Sequence, residues 1–454
     1  MSVFKKPESH ADRLTTADER GRRIYVYPAE VKGRYQRLRS LAHTVLIGVF
    51  LALPWVRVNG SQALLLDVAR RRFAIFGITF WAHDAPMLVF IVGGAALTLG
   101  LATALWGRVW CGWACPQTVF IESLFRRIER AIEGDHLARR KLDAAPLDAD
   151  KAFKKAMKWG LFTVVALVVT HSFLAYFVGT EALATMIRSS PAKNPASFTF
   201  MAVLSGAILF DFGWFREQFC TVVCPYGRFQ SLLMDEQSLL VTYDTNRSDC
   251  VSCNRCVQVC PTGIDIRNGA QLECIGCTAC IDACDDVMAR LRRPLGLIRY
   301  DSAAGLSGKP TTALRPRVVV YGALVALLAV GLIYNVATRR PVEATFVRAA
   351  DTPYTEISAT EIVNRFKVDL SNQSFEDLEL KLAVDTGKPG TAAEVVTALG
   401  SFKVAGGRKL NQEAFVKFPK SLLASGHATV TIRVVDPAGK TLTAEEVTLV
   451  GPYR

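Results

Sequence analysis

A bundle of about five membrane-spanning helices, interrupted by a compact cysteine-rich domain and closed by a small β-sandwich, is the fold class that the sequence predicts. Three observations predict it. Apolar stretches of bilayer length recur along the chain, all twelve cysteines fall between residues 111 and 284, and the residues after 341 alternate apolar and polar with period two.

Half of the 454 residues are hydrophobic and the mean hydropathy is positive. A helix needs about 20 apolar residues to cross a bilayer. Leu41–Val56, Pro86–Trp106, Trp159–Val178, Phe198–Phe215 and Val318–Val336 meet or approach that length. The first is short and can extend back into Arg39. A further apolar run, Phe73–Ala82, is too short to span; it reads as interfacial, folded against the bundle, or re-entrant.

Charge bias orients the spans, because loops rich in Lys and Arg stay inside. The net charge is +13, and its distribution is uneven. Ten Lys and Arg lie between Lys5 and Arg39, eleven between Arg108 and Lys158, but only Arg188 and Lys193 between spans three and four. Arg57 and Arg70–Arg72 in the first outer loop run against the bias. The reading puts the N-terminal arm (1–40) and the cysteine-rich segment (216–316) in the cytoplasm. Spans one to four occupy 41–215, span five 317–336, and the periplasmic remainder 337–454. The N-terminus lacks the apolar core of a signal peptide and is expected to remain. Basic loops on anionic lipid account for the charge without nucleic acid.

Between spans two and three, residues 117–133 place Phe120, Leu124, Ile128 and Ile132 at helical spacing, with Arg126, Arg127 and Arg130 opposite. This predicts an amphipathic helix lying on the membrane surface or on the cysteine-rich domain.

The cysteine-rich segment reads Cys250-x2-Cys253-x2-Cys256-x3-Cys260-Pro261, then Cys274-x2-Cys277-x2-Cys280-x3-Cys284. Such spacing wraps three thiolates around one [4Fe–4S] cubane and sends the fourth to the other cluster. Cys250, Cys253, Cys256 and Cys284 are therefore expected to hold one cluster. Cys274, Cys277, Cys280 and Cys260 are expected to hold the second. Asp285 stands where a second proline would follow. A pair of zinc sites is the alternative, but zinc motifs seldom repeat this triple spacing. The domain is a bacterial 2[4Fe–4S] ferredoxin-like unit, a one-electron wire.

Cys111-x3-Cys115-Pro116 closes span two, and Cys220-x3-Cys224-Pro225 closes span four. Helical positions i and i+4 share a face, so each block is expected to present two sulfurs together. Four thiolates suit Cu(I), zinc or an iron–sulfur unit; buried structural cysteine is the bland alternative. His43 and His171 lie inside spans, where an ionisable residue invites a functional reading or simple packing. Asp211 and Glu217 flank the second block, where they could accept protons or tune a metal; a salt bridge with Arg216 or Arg228 is the role expected of them.

From residue 341, Phe366-x-Val368-x-Leu370, Leu378 to Val384, and Val430-x-Ile432-x-Val434 alternate strictly, separated by turns at Asn372–Gln373 and Asp436–Gly439. This predicts an immunoglobulin-like β-sandwich. His427 is its one histidine, and no catalytic set stands out.

Taken together, YVYPAEVKGRYQRLR, WCGWACPQTVF, THSFLAYFVG, CPYGRFQS and PLGLIRY around the ferredoxin run resemble the cytochrome c oxidase accessory family CcoG, also called FixG or RdxA. The resemblance covers nearly the whole chain. It implies an inner-membrane cupric reductase that supplies Cu(I) to copper chaperones and assembly factors of cbb3-type oxidase. Cys111, Cys115, Cys220 and Cys224 would then be the copper thiolates, with copper as substrate or bound ion. The electron donor is unnamed, and a homodimer is left open. Two other readings compete: a quinol-oxidising subunit resembling NapH or NosR, and a non-enzymatic assembly scaffold.

Overall fold

The structure is a computed structural model. It describes residues 23–452 except 59–60, 69–71, 81–84, 339, 350–351, 375, 388–392 and 399. Residues 1–56 with 86–332 form one compact unit, and 57–85 with 333–454 form another. The arm before Arg23 and the end of the 73–82 run lie outside the described residues.

Five helices are long and apolar enough to cross a membrane: Arg34–Trp55, Met87–Trp106, Ala149–Val178, Pro195–Phe215 and Pro316–Ala337. Each contains the corresponding expected stretch to within a residue or two. The first runs seven residues further back than its apolar stretch. Its added turns carry Arg34, Arg37 and Arg39 out of the apolar stretch, and Arg39 is only 2% exposed. Spans one, three and four meet the segment after span two in an aromatic core. Phe120, Phe125, Phe162 and Phe212 are buried there beside Phe50, with Phe125 and Phe162 ring centroids 4.7 Å apart.

The expected amphipathic helix packs on the cysteine-rich domain, where Arg126 donates to the Pro261 carbonyl at 3.3 Å, and on the bundle core. Residues Pro116–Phe120 are α-helical, Ile121–Phe125 form a π-turn, and Arg126–Glu133 resume the α-helix. The π-turn inserts an extra residue, so Phe125 rather than Leu124 is fully buried. The polar side is partly buried: Arg126, Glu129 and Glu133 are less than a tenth exposed, whereas Arg127 is exposed and Arg130 stands half-open to solvent. A buried charge must be paired, and the partners come from segments far away in sequence.

In the cysteine-rich domain, Leu240–Tyr243 pairs antiparallel with Ile298–Asp301 and closes the domain across its two ends. Helix Ala279–Arg290 packs on span one. Asp282 from that helix accepts hydrogen bonds from the backbone N–H of Tyr35 (3.3 Å) and Gln36 (2.7 Å), which otherwise lack intrahelical partners.

In the second unit, residues 64–80 form a three-stranded antiparallel sheet, Leu64–Asp67, Arg72–Ile75 and Ile78–Phe80. The described part of the 73–82 run is therefore strand and turn. Phe76 and Gly77 both have positive φ, the backbone of a two-residue type I′ hairpin, so the apolar run folds back on itself. The C-terminal residues form the expected sandwich. One sheet has the order Glu394–Thr397, Lys409–Pro419, Glu361–Asn372, Val342–Arg348, with Thr355–Glu356 on the edge of the third. The other runs Phe402–Val404, Leu378–Asp385, His427–Val435, Thr441–Val450. Phe366, Val368, Leu370, Leu380, Val430, Ile432 and Val434 are core residues, as the alternation required.

Candidate functional site

The eight ferredoxin-like cysteines divide into two cavities. Cys250, Cys253, Cys256 and Cys284 line one, closed by Tyr243, Met288 and Ile298. Cys260, Cys274, Cys277 and Cys280 line the other with Ile264, Ile266 and Thr278, and Cys256 reaches its wall. The two loops share one backbone device. Positive φ occurs at Ser252 and Asn254 in the first and at the equivalent Gly276 and Thr278 in the second. Left-handed residues between thiols curl the chain into nests whose N–H groups point inward, as anionic clusters require. Donor set and backbone both fit [4Fe–4S] cages. Burial pushes the Cys277 and Cys284 thiols up to about 12 and raises Cys280 well above the ordinary thiol range. Gathered, buried thiols resist ionising until a metal compensates them.

The membrane-edge cysteines have a geometry that the i, i+4 argument did not foresee. The helix after span two ends at Trp113. Cys115 is extended, and a new helix starts at Pro116. The second block repeats this: a π-turn over Phe219–Val223, extended Cys224, and a helix from Pro225 to Leu233. A residue before proline is driven out of the helical region, so neither pair sits on a continuous helix. In both blocks the N–H of the second cysteine donates to the carbonyl five residues back: Cys115 to Trp110 and Cys224 to Phe219, each 2.8 Å.

The four thiols nonetheless lie within electrostatic reach of one another, for Cys220 is raised first by burial and then by Cys115, Cys111 and Cys224. Burial pushes Cys111 up to about 11, while Gln230 and Arg108 act against it. Among the described residues no three His, Cys, Asp or Glu side chains converge tightly enough to hold a single ion. Sulfurs around one tetrahedral ion would sit about 3.8 Å apart.

The first block touches the cluster domain. Cys111 packs against the apolar cluster that includes Ile275 and Cys277. A Cβ on Gly112 would stand 2.7 Å from the carbonyl oxygens of Ile275 and Gly276, so only glycine permits this approach. Arg108 donates to the Leu272 carbonyl, to that of Cys274 at 3.3 Å, and to that of Gly227 at 2.7 Å. Gln230, fully buried, donates to Cys111 Sγ at 3.3 Å. These four residues tie span two, the second cysteine block and the cluster loop into one assembly. Sequence reasoning missed Arg108, Gly112 and Gln230; their contacts are all long-range.

An ion network braces the two blocks. Arg216 grips Glu129 with both terminal nitrogens, at 2.6 and 3.0 Å. Arg139 adds a contact to Glu129 at 3.1 Å, and Tyr25 a hydroxyl at 3.1 Å. Glu217 accepts from Arg126 and from Arg23, each at 3.3 Å. Asp211 accepts from Gln117 at 2.9 Å. Arg216 therefore does not pair with Asp211 or Glu217, as expected from its position, and the Arg228 side chain lies outside the described residues. Burial alone would raise the Glu129 carboxyl; Arg216, Lys158 and Arg139 reverse this and hold it at about 2.

His43 is buried, with Nδ1 2.8 Å from Ser123 Oγ and Nε2 3.4 Å from the Gly112 carbonyl. His171 bonds back to the Leu167 carbonyl of its own helix at 2.7 Å. His427 sits exposed at a strand start in the sandwich.

Three family models match the chain. Residues 85–142 match a 4Fe–4S binding domain, and 215–249 with 246–303 match a 4Fe–4S dicluster domain. Residues 332–452 match the IG-like fold at the C-terminus of FixG. Protein RdxA of Cereibacter sphaeroides is 35% identical over 404 residues, covering 83% of this chain and 86% of that protein. Nitrogen fixation protein FixG of Rhizobium meliloti is 32% identical over 493 residues, covering 94% of each. Ferredoxin-type protein NapH of Haemophilus influenzae is 24% identical over 241 residues, covering 52% of this chain and 77% of NapH.

Proposed function

Because this chain belongs to the FixG/RdxA family and is an iron–sulfur electron-transfer protein, we propose that it is a membrane-bound cupric reductase. The substrate is Cu(II), the product Cu(I), and the recipients are copper chaperones and assembly factors of cbb3-type oxidase. Two [4Fe–4S] clusters, bound by Cys250, Cys253, Cys256 with Cys284 and by Cys274, Cys277, Cys280 with Cys260, supply stored single electrons. Cu(II) takes up one electron and needs no bond cleavage or proton to become Cu(I). Cys111, Cys115, Cys220 and Cys224 receive the copper, since thiolates favour the Cu(I) product and so favour the reduction itself. Arg108 and Gln230 hold the receiving thiols against the cluster loop. The observation that carries this reading is the seating of Cys111 and Gly112 on the Ile275–Cys277 backbone.

In the proposed topology the N-terminus and cluster domain face the cytoplasm and the sandwich faces the periplasm. The joining of the 57–85 loop and the C-terminal sandwich in one compact unit supports a common side for both.

The test is anaerobic. Full-length protein reduced with dithionite and freed of excess reductant is mixed with Cu(II). Cluster reoxidation and Cu(I) formation should match electron for electron. Clusters that stay reduced while Cu(II) persists would refute the reductase. Cys111→Ala and Cys220→Ala should lower copper binding with iron content intact; loss of iron instead would move these thiols into iron ligation, an outcome to which the 4Fe–4S match over residues 85–142 gives weight. The NapH likeness favours one rival, quinol oxidation, for which quinol alone should reduce the clusters.

A further inference from the structure

A cavity of about 640 Å³ lies between residues 28–33, the first turns of span one and the helix around Arg126. Its volume falls within the range of small-molecule sites. Lys32, Arg37 and Arg127 are exposed at its rim, and Arg39, Arg126 and Arg139 are buried in its wall. With Arg130 the described lining holds seven cations against two carboxylates, Glu30 and Glu122, a net of +5. Glu129 and Glu217 reach Arg139 and Arg126 from outside the lining; counting them still leaves +3.

Internal pairing is uneven. Glu30 takes Arg130, and Glu122 takes Arg126, each at 2.6 Å. Arg127 is held by the Ser40 hydroxyl and Arg37 by a backbone carbonyl, neither of which brings negative charge. Arg39 donates from Nε to the Gly112 carbonyl at 2.7 Å and stands 3.8 Å from Glu122, and among the described residues its Nη2 has no hydrogen-bond partner. The rest of the described wall is mixed: Ala29, Val31, Val259, Pro261 and Ala279 form an apolar side, and Gln36, Ser40, His43 and Ser123 add neutral polar groups.

We infer that this cavity binds a phosphate-bearing ligand of nucleotide size, with its phosphate on Arg37, Arg127 and Lys32 at the rim and its organic part against the apolar wall. Guanidinium forks match phosphate oxygens in pairs, and three uncompensated charges call for more than a single carboxylate. Val259 and Pro261 flank Cys260, and Ala279 precedes Cys280, so the organic part lies one residue from thiols of the second cage. That position makes a redox nucleotide the first source to test and a phospholipid headgroup the second. The inference stands independently of copper, because no cysteine is among the described lining residues.

The full-length protein, clusters loaded and in detergent, is titrated with flavin mononucleotide, read by quenching of flavin fluorescence. A parallel arm reads retained phosphatidylglycerol by native mass spectrometry. Saturable flavin binding, displaced by inorganic pyrophosphate and weakened about tenfold in Arg127→Gln and in Arg37→Gln through loss of a charge-assisted contact, supports a nucleotide site. Iron content should not change in either variant. Retained lipid that is displaced by pyrophosphate and lost in the same variants, with no flavin binding, supports the same phosphate site filled by a headgroup. Absence of saturable binding of both probes, or binding indifferent to both substitutions, overturns the inference.

Discussion

Replacing Glu129 by Gln should destabilise the bundle by on the order of 3 kcal/mol. The residue is 1% exposed and is gripped by Arg216, Arg139 and Tyr25. Two routes lead to the size. Holding the carboxyl at about 2 against its ordinary 4.5 is a preference for the charged form of on the order of 3 kcal/mol. Removing one partner of a buried ion pair costs roughly 3–5 kcal/mol, because the other charge is left uncompensated. Glutamine keeps the shape but turns two N–H groups toward cations. In a thermal ramp followed by tryptophan fluorescence, a loss of this size should lower Tm by roughly 6–12 °C. The sign of the pH dependence follows from the lowered carboxyl. Its contribution is complete above pH 4.5 and is lost as pH falls from there through about 2. Wild type should lose stability across that window, and Glu129→Gln should lack this part of the loss. A Tm within about 1 °C of wild type would refute the claim that the ion pairs brace the bundle.

Gly112→Ala puts a Cβ 2.7 Å from two backbone carbonyls of the cluster loop. The cysteine block must back away, and stopped-flow reoxidation of reduced protein by Cu(II) should slow by up to about 10²-fold with iron content kept. Cys284→Ser should disturb the cluster of Cys250, Cys253 and Cys256, and Cys260→Ser that of Cys274, Cys277 and Cys280, because each fourth thiol lies in the other loop's cavity. Each variant should retain half of the iron and one reducible signal by electron paramagnetic resonance; disturbance of the neighbouring loop's own cluster would reverse the assignment. A reporter active only in the periplasm should work when fused after Arg454 and fail after Ser307, and the opposite pattern would invert the proposed topology.

What could be read from the sequence was what depends on near neighbours. Bilayer-length runs gave the spans, cysteine spacing gave the two loops, and strict alternation at Phe366–Leu370 and Val430–Val434 gave the sandwich. The misreadings arose where distant residues decide. Arg126 and Glu129 look like a solvated face until Arg216, Glu217 and Arg139 arrive from elsewhere in the chain. Phe73–Ala82 reads as one short apolar run until Phe76 and Gly77 turn it into a hairpin. One miss had a local signal. Pro116 and Pro225 follow their cysteines directly, and a residue before proline leaves the helix, so the shared-face argument for Cys111 with Cys115 was already in doubt.

The two Cys-x3-Cys-Pro blocks are alike in backbone and unlike in surroundings. Both close with the same bond to the carbonyl five residues back, which makes them a repeated device. Cys111 shares its packing with Ile275 and Cys277, whereas Cys220 is surrounded electrostatically by the other three thiols and Asp211. The first block of the thiol group thus meets the cluster domain. Arg39 sits at that meeting point: its Nε holds the Gly112 carbonyl, and its side chain forms part of the cationic cavity wall. Arg39→Lys, which keeps the charge but loses the Nε contact to the Gly112 carbonyl, should loosen the seating of the first block and slow reoxidation by Cu(II) with iron content kept; unchanged reoxidation would refute the role of this guanidinium in the seating.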